Sequence, residues 1–259
     1  MDGPDALKDA GVLDTSIVIV PLGATEQHGP HLPFETDTII AKGVCERLIA
    51  RLNEAASNLD VYVLPPQAIG YSPEHMDYEG SKTLSYSEAV DKWIGIGQAC
   101  HAKGVRRIVF MNAHGGNVPI VQIVCQELRV RHGMVAVATK WDRFIKGAGL
   151  VTADEERLGI HGGQIETSVM LALAPDRVDL AKAQNFSSAQ SDFETRFTHL
   201  RAYGPHAFGW KMQDLNADGV TGDAGAATVE LGEALLQRAV DGLVRLLDDV
   251  GRFHATFGR

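Results

Sequence analysis

Cysteine, long apolar runs and an excess of positive charge are all missing or scarce in this chain. Its 259 residues contain three cysteines, which are odd in number and widely spaced: Cys45, Cys100 and Cys125. This spacing argues against a disulfide framework and against a thiolate metal site, so we expect buried, reduced thiols. No apolar run approaches the ~18 residues of a membrane span, and the polar N-terminus lacks the basic start and apolar core of a signal peptide. These absences predict a cytoplasmic protein.

The charge balance narrows the class of partner. The formal net charge is -9 at pH 7, whereas binding to nucleic acid or to an anionic membrane requires concentrated Lys and Arg. We therefore expect a small-molecule partner, with no nucleic acid and no membrane. A chain of this length with 45% hydrophobic residues can bury a large core, and we predict a single domain over residues 1–259.

Short β-branched runs alternate with longer helical patterns along the chain. Strands are predicted at 16–20, 61–64, 107–111 and 134–139. Helices are predicted at 37–52, 85–103, 118–131, 164–173 and 226–250. The segments 147–158 and 186–221 are predicted to be irregular. This alternation predicts an α/β fold with a largely parallel sheet and helices on both faces.

The segment between the first strand and the first helix is rich in side chains that bind metals. Glu26 and His28 stand two residues apart, a spacing that places both side chains on one side of an extended backbone. Asp37 follows at the predicted start of the helix. Because ligands bind beyond the carboxyl ends of strands in open α/β sheets, these residues are candidate metal ligands. Asp37 has an alternative role as a helix N-cap, a position that favours Asp.

Two more clusters occur where predicted helices begin. In NAHGGN, His114 stands at a strand end, and the glycines that follow, Gly115 and Gly116, allow close backbone approach. In HGGQIETS, His161 stands just before a predicted helix and Glu166 on its first turns. A single histidine is more often structural than a ligand, and His161 has alternative roles as a helix cap or a structural hydrogen-bonding group. Three glycine-flanked clusters together favour a functional site.

Together, these segments resemble the creatininase family of amidohydrolases. The residues that carry the resemblance are PLGATEQHGPHLP at 21–33, Thr36 and Asp37, NAHGGN at 112–117, His161, and ETS at 166–168. The resemblance spans nearly the whole chain and implies the family's three-layer α/β/α architecture with a largely parallel central sheet. It also implies a metal-dependent hydrolase that acts on carbon-nitrogen bonds other than peptide bonds.

The resemblance further implies a site for two divalent metal ions, Zn²⁺ and/or Mn²⁺, with Fe²⁺ as a further candidate. By position, Asp37 would bridge the ions, Glu26 and His114 would hold one, and His28 would hold the other. Creatininase itself takes a further carboxylate ligand from two residues after the histidine that matches His114. This chain has a glycine there, so we expect Glu166 to supply the fifth ligand.

The expected chemistry follows from what amide hydrolysis requires. Two cations ~3.5–4 Å apart can lower the pKa of a shared water molecule and polarise the amide carbonyl. The leaving nitrogen needs a proton, and His161 is the candidate acid or proton shuttle, with Glu166 as the second catalytic residue. We predict hydrolysis of a small, cyclic amide such as creatinine. The alternatives are a formamide hydrolase or a peptidase of the same family acting in cofactor biosynthesis, or a non-catalytic α/β protein that binds a metal or ligand.

The substrate pocket and the assembly are predicted from the same resemblance. Residues 71–81 resemble a family stretch that places a histidine near the site, which suggests His75 as a substrate-binding residue. Gly115 and Gly116 are further candidates, as is Trp141, whose indole offers a large rigid contact surface. A core or subunit-interface role is the alternative for Trp141. The family's assemblies are typically hexameric, so we expect a homo-oligomer and consider a hexamer.

Overall fold

The computed structural model describes residues 14–253, together with Leu7 and Gly11. The predicted domain over 1–259 extends beyond these residues at both ends, and most of the N-terminal residues read for a signal peptide lie outside them. The single domain therefore stays a prediction. Within the described part of the chain, no helix is both long and apolar enough to cross a membrane.

Four parallel strands form the central sheet in the order β2-β1-β3-β4. Their bounds are Ile17–Leu22 for β1, Val61–Val63 for β2, Arg107–Asn112 for β3 and Val135–Lys140 for β4. Each strand lies within two residues of its predicted bounds. Leu22 pairs with Asn112, so the carboxyl ends of β1 and β3 lie side by side.

Seven α-helices occur in the described residues. They are α1 (Thr36–Glu54), α2 (Tyr86–Ala102), α3 (Val118–His132), α4 (Ala153–Leu158), α5 (Gln164–Leu173), α6 (Gln190–Arg196) and α7 (Val229–Arg252). Helix α7 begins three residues later than predicted because the Thr228 side chain caps it by accepting a hydrogen bond from Leu231 N at 3.1 Å.

Both segments that were predicted to be irregular contain regular structure that the sequence patterns did not predict. Segment 147–158 contains α4, and segment 186–221 contains α6. At six and seven residues these helices are too short to show a periodic apolar face. A two-stranded antiparallel ribbon, β5 (Asn185–Phe186) with β6 (Gly222–Asp223), closes the ends of the second segment.

The two faces of the sheet are covered by different helices. Ile17 and Ile19 of β1 pack in one core with α1, α5 and α7, whereas Val18 and Val20 pack in a second core with α2 and α3. Successive side chains of a strand point to opposite faces, so this division follows from the pleat. Both faces are buried, which explains why β1 and β3 are apolar almost throughout. The layers are therefore α/β/α, as predicted.

Candidate metal centre

Two neighbouring strand ends supply the centre of the candidate site. The chain leaves β1 into a loop that carries Glu26 and His28, and His114 stands two residues beyond the end of β3. Helix α1 then presents Asp37 from its first turn. Its N-cap is Glu35, with no side-chain capping hydrogen bond, so the alternative of Asp37 as the N-cap is wrong. The Asp37 side chain turns towards the histidines instead.

The two carboxylate oxygens of Asp37 face two different histidines. Asp37 Oδ1 lies 3.3 Å from His28 Nε2, and Asp37 Oδ2 lies 3.2 Å from His114 Nδ1. Glu26 Oε1 lies 3.0 Å from the same His114 nitrogen. All four side chains are at most 4% exposed. A carboxylate placed in this way has one oxygen free to serve each of two cation positions.

The far nitrogen of each of these imidazoles is held by a backbone carbonyl. His28 Nδ1 donates to Glu26 O at 3.0 Å, and His114 Nε2 donates to Tyr71 O at 2.9 Å. Because a carbonyl only accepts, these contacts fix the tautomer of the neutral imidazole, in which the other nitrogen, facing Asp37, has a lone pair. Histidines that bind metals are oriented by this kind of contact.

A third loop and the helix that follows it, α5, bring His161 and Glu166 to the same cluster. His161 Nδ1 lies 3.6 Å from Glu26 Oε1, and Glu166 Oε2 lies 3.9 Å from His28 Nε2. The N-cap of α5 is Gly163, so the alternative of His161 as a helix cap is wrong. His161 does make a structural hydrogen bond, since its Nε2 donates to the carbonyl oxygen of Gln27 at 2.8 Å.

The predicted substrate-binding residues have different surroundings. His75 joins the cluster, with Nε2 at 3.8 Å from Glu26 Oε1. Gly115 is exposed with open space beside its Cα, whereas a Cβ on Gly116 would contact Tyr71 O and His114 Nε2. Trp141 is 1% exposed and packs in the core with α1, α5 and α7, which is the alternative placement considered above. Its substrate-binding role stays a prediction.

Two further side chains reach the cluster without having been predicted. Ser72 Oγ donates a hydrogen bond to Glu26 Oε2, and Glu74 Oε1 lies 3.5 Å from His114 Nε2. Both stand within three residues of His75, so the stretch that pointed to His75 also contained them. Nothing in their spacing distinguishes them from ordinary loop residues.

The electrostatics of the cluster are those of a site built for positive charge. Burial lowers the pKa of His28, but Asp37, Glu26 and Glu166 together raise it to about 9. Burial raises the pKa of Glu26, yet the imidazoles, His114 above all, hold it well below its usual value. In the protein alone, protons on the imidazoles therefore balance the buried carboxylates.

Several polar atoms of the cluster have no hydrogen-bond partner. Among the described residues, buried atoms of this kind include Glu26 Oε1, His28 Nε2 and Asp37 Oδ2. Glu26 Oε1 and Asp37 Oδ2 both lie beside His114 Nδ1. An unsatisfied buried polar group costs about 1–3 kcal/mol, so protons or cations bound among these atoms would stabilise the cluster. Carboxylate oxygens and imidazole nitrogens are the donors that zinc, manganese and iron take. The residues thus fit divalent cations of this class.

The fold and the site together describe an α/β/α protein with a buried cluster of carboxylates and imidazoles at the carboxyl edge of a parallel sheet. The family model named Creatininase and described as creatinine amidohydrolase matches residues 5–247. The chain belongs to the creatininase family, as the sequence motifs predicted.

Several known proteins are similar to this chain in sequence or in structure over most of their length. A mycofactocin precursor peptide peptidase from Mycolicibacterium smegmatis is 31% identical over 226 residues, which cover 87% of this chain and 82% of the relative. Creatinine amidohydrolase from Pseudomonas putida is 29% identical, over 88% and 86% of the two chains. A crystal structure of creatinine amidohydrolase has a TM-score of 0.75 at 26% identity and covers 96% of this chain and 95% of its own. The predicted fold class is confirmed.

Proposed function

We propose that this creatininase-family amidohydrolase holds two divalent cations, Zn²⁺ and/or Mn²⁺ or alternatively Fe²⁺, and uses them to hydrolyse a carbon-nitrogen bond. Asp37 is the proposed bridging ligand, with Glu26 and His114 on one cation and His28 and Glu166 on the other. The observation that carries this proposal is the division of the two Asp37 oxygens between His28 Nε2 and His114 Nδ1.

Glu166 is the proposed fifth ligand because the alternatives fit less well. A side chain at Gly116 would contact Tyr71 O and His114 Nε2, so a carboxylate there would require the backbone to move. Glu74 faces the Nε2 side of His114, away from the nitrogen that faces Asp37. Glu166 instead has an oxygen on the His28 side of the cluster, held by a hydrogen bond from Gly162 N at 2.7 Å.

The residues of the chain divide the chemistry between binding and proton transfer. When bound, the cations would lower the pKa of a water molecule and polarise the amide carbonyl. His161 Nδ1 takes a proton from the attacking water and delivers it to the leaving nitrogen, so the new carbon-oxygen bond forms and the carbon-nitrogen bond breaks with release of a neutral amine. Glu26, at 3.6 Å, stabilises the transient imidazolium.

The proposed substrate is a small, cyclic amide, for which creatinine is one candidate. We propose a cytoplasmic homo-oligomer that binds neither nucleic acid nor a membrane. A second candidate, a peptide precursor, is favoured by the relatives named as peptidases at 31% identity. The exposed Gly115 beside His114 also leaves the rim of the site without a side chain, which would give an extended peptide room to approach.

A screen of metal-reconstituted protein tests this function. The substrates would be creatinine, related lactams and hydantoins, formamides and short peptides, each tried with Mn²⁺ and with Zn²⁺. We expect turnover of at least one class, loss after chelation, and recovery when the metal is restored. His161→Gln should lose turnover, while His206→Gln, an exposed histidine in the loop before β6, should not. Turnover that survives complete removal of metal would contradict the proposal, and metal-loaded protein that binds amides without hydrolysing them would favour a binding protein.

A further inference from the structure

One segment of the long region before α7 contacts both loops that carry His28 and His161. Segment 218–221 runs into β6 and has Val220 at its centre, which is 0% exposed. Val220 lies against Gly29 in one loop and Gly162 in the other. A Cβ on Gly29 would lie 2.9 Å from Val220 Cγ1, and a Cβ on Gly162 would lie 2.5 Å from the same atom. The valine therefore fills the space between the two loops.

Hydrogen bonds attach the same segment to each loop. Thr221 N donates to His161 O at 2.9 Å, and Gln27 Nε2 donates to Asp218 O at 2.8 Å. The carbonyl oxygen of Gln27 in turn accepts from His161 Nε2 at 2.8 Å. The backbone of His161 and the ring of His161 are thus both held, directly or through Gln27, by residues 218–221.

The approach of the segment to Gln27 depends on a glycine. Gly219 has a positive φ of +76°, and a Cβ there would contact the Gln27 side-chain amide. Only glycine adopts this backbone conformation at low cost and leaves that space free. Val220 is anchored on its other side by Phe186 and Ala224, in a small core of its own. The segment is therefore fixed to the β5-β6 ribbon as well as to the two loops.

The consequence of this arrangement is the direction in which His161 points. Its Nε2 is occupied by Gln27 O, so Nδ1 is the nitrogen that faces Glu26. The rings of His161 and His28 lie 4.1 Å apart between centroids, so a small shift of either loop changes the position of that nitrogen. Val220 fills the space between the two loops that carry these rings, so it can act on the rings through the loops.

We propose that Val220 is a positioning residue that sets His161 Nδ1 for proton delivery to the leaving nitrogen. The inference rests on the proposed function of His161. The inference predicts a specific defect in variants that lose the methyl groups of Val220. The rate of cleavage should fall most for substrates whose leaving nitrogen is basic, because that nitrogen depends most on receiving a proton from a positioned acid.

The test compares Val220→Ala with Val124→Ala in the metal-loaded protein. Val124 is also 0% exposed but lies in the core with α2 and α3, so it matches the loss of two methyl groups without touching the site. The substrates are 4-methoxyformanilide and 4-nitroformanilide, whose leaving nitrogens differ in basicity. We expect Val220→Ala to lower kcat for the methoxy compound about tenfold more than for the nitro compound, and Val124→Ala to lower both equally. Val220→Ile keeps a branched side chain between the loops, so its ratio of kcat for the two substrates should stay close to that of the unchanged protein.

A second measurement separates this inference from the proposed function. In protein labelled with ¹⁵N-histidine, the ring signals of His161, assigned by their loss in His161→Gln, should shift or broaden in Val220→Ala and stay unchanged in Val124→Ala. An unchanged His161 signal in Val220→Ala, or an unchanged ratio of the two rates, would overturn the inference. If neither formanilide is hydrolysed, the ring signals alone decide it, while the failure to hydrolyse any amide counts against the proposed function.

Discussion

Glu155 and Glu26 are both buried glutamates, but their carboxylates meet different surroundings. Glu155 in α4 is 6% exposed and accepts hydrogen bonds from Gln164 N at 2.7 Å and Asp223 N at 2.8 Å. Glu26 is 0% exposed, and among the described residues no backbone N–H group donates to its Oε1, which lies among imidazole nitrogens with His114 Nδ1 nearest at 3.0 Å.

The difference distinguishes a structural carboxylate from one that we propose binds a cation. The carboxylate of Glu155 fills space between Gly159, Gly163 and Gly222, and it joins α4, α5 and β6 through backbone N–H groups. A buried charge that is fully hydrogen-bonded needs nothing further. Glu26 belongs to a group of acids and histidines whose polar atoms are unsatisfied together, and such a group is stable only with protons or cations among its members.

The largest expected effect comes from Asp37→Asn. If Asp37 bridges two cations, the amide cannot replace its two anionic oxygens, so bound metal should fall at both positions and turnover should drop about 10³-fold or more. Metal analysis and steady-state kinetics measure the two losses. Glu35→Gln, at the N-cap of the same helix, is the control and should keep both metals. Full activity in Asp37→Asn would contradict the proposed role of Asp37 as a bridging ligand.

A smaller loss is expected for Glu166→Gln. Removing this ligand should weaken one of the two cation positions and lower turnover on the order of 10²-fold. Adding Gly116→Glu to that variant should not restore activity, because a side chain at 116 contacts Tyr71 O and His114 Nε2. Rescue by the second substitution would show that position 116, rather than Glu166, can supply the fifth ligand.

The contrast between the two glutamates can be measured as metal-dependent stability. In metal-free protein, Glu155→Gln should lower the free energy of unfolding by about 1–3 kcal/mol, since it disturbs a carboxylate bonded to the backbone. Adding Mn²⁺ at 100 times its Kd should raise the free energy of unfolding by about 2.7 kcal/mol for each cation site in the unchanged protein and in Glu155→Gln, but less in Glu26→Gln. Urea unfolding with and without metal gives all three values. An equal metal effect in Glu26→Gln would contradict its role as a ligand.

The smallest effect concerns His31, whose ring bonds Gly162 O at 3.0 Å and Thr167 Oγ1 at 2.9 Å. Burial, followed by the charge of His28, lowers its pKa to about 4 against the partial opposition of Gly162 O and Asp179. The unfolded chain takes up this proton below about pH 6.5 and the folded protein does not, so stability falls as pH decreases from about 6.5 to 4.

His31→Gln should remove this contribution. The unchanged protein should lose about 2 kcal/mol more of its free energy of unfolding between pH 7.5 and pH 5 than His31→Gln does. His206→Gln, which replaces an exposed histidine, should lose as much as the unchanged protein. Urea unfolding at the two pH values compares the variants, and equal losses in all three proteins would contradict the shift.

The central sheet and the long helices could be predicted because their apolar periods of two and 3.6 residues extend over many residues. Helices α4 and α6 are too short to show such a period. The role of Asp37 is ambiguous in sequence because a carboxylate in a first helical turn suits both a cap and a ligand. The sequence pattern does not show that α1 has Glu35 as its N-cap, which is what excludes the cap role. Ser72 and Glu74 reach the site through the tertiary fold, so no local pattern distinguishes them.

The orientation of a side chain at a strand end is equally hard to predict. Trp141 follows β4 directly, and a step of one residue along a strand moves a side chain from one face to the other. Its indole lies in the core with α1, α5 and α7, whereas His114 after β3 faces the cluster. The residue type alone fits both placements.

The most direct test of the central claim is an anomalous difference map from a crystal of the protein soaked in Mn²⁺. We predict two peaks, one between Asp37 Oδ1 and His28 Nε2 and one between Asp37 Oδ2 and His114 Nδ1. A map with no peak beside Asp37, or with bound manganese only elsewhere in the molecule, would contradict the account.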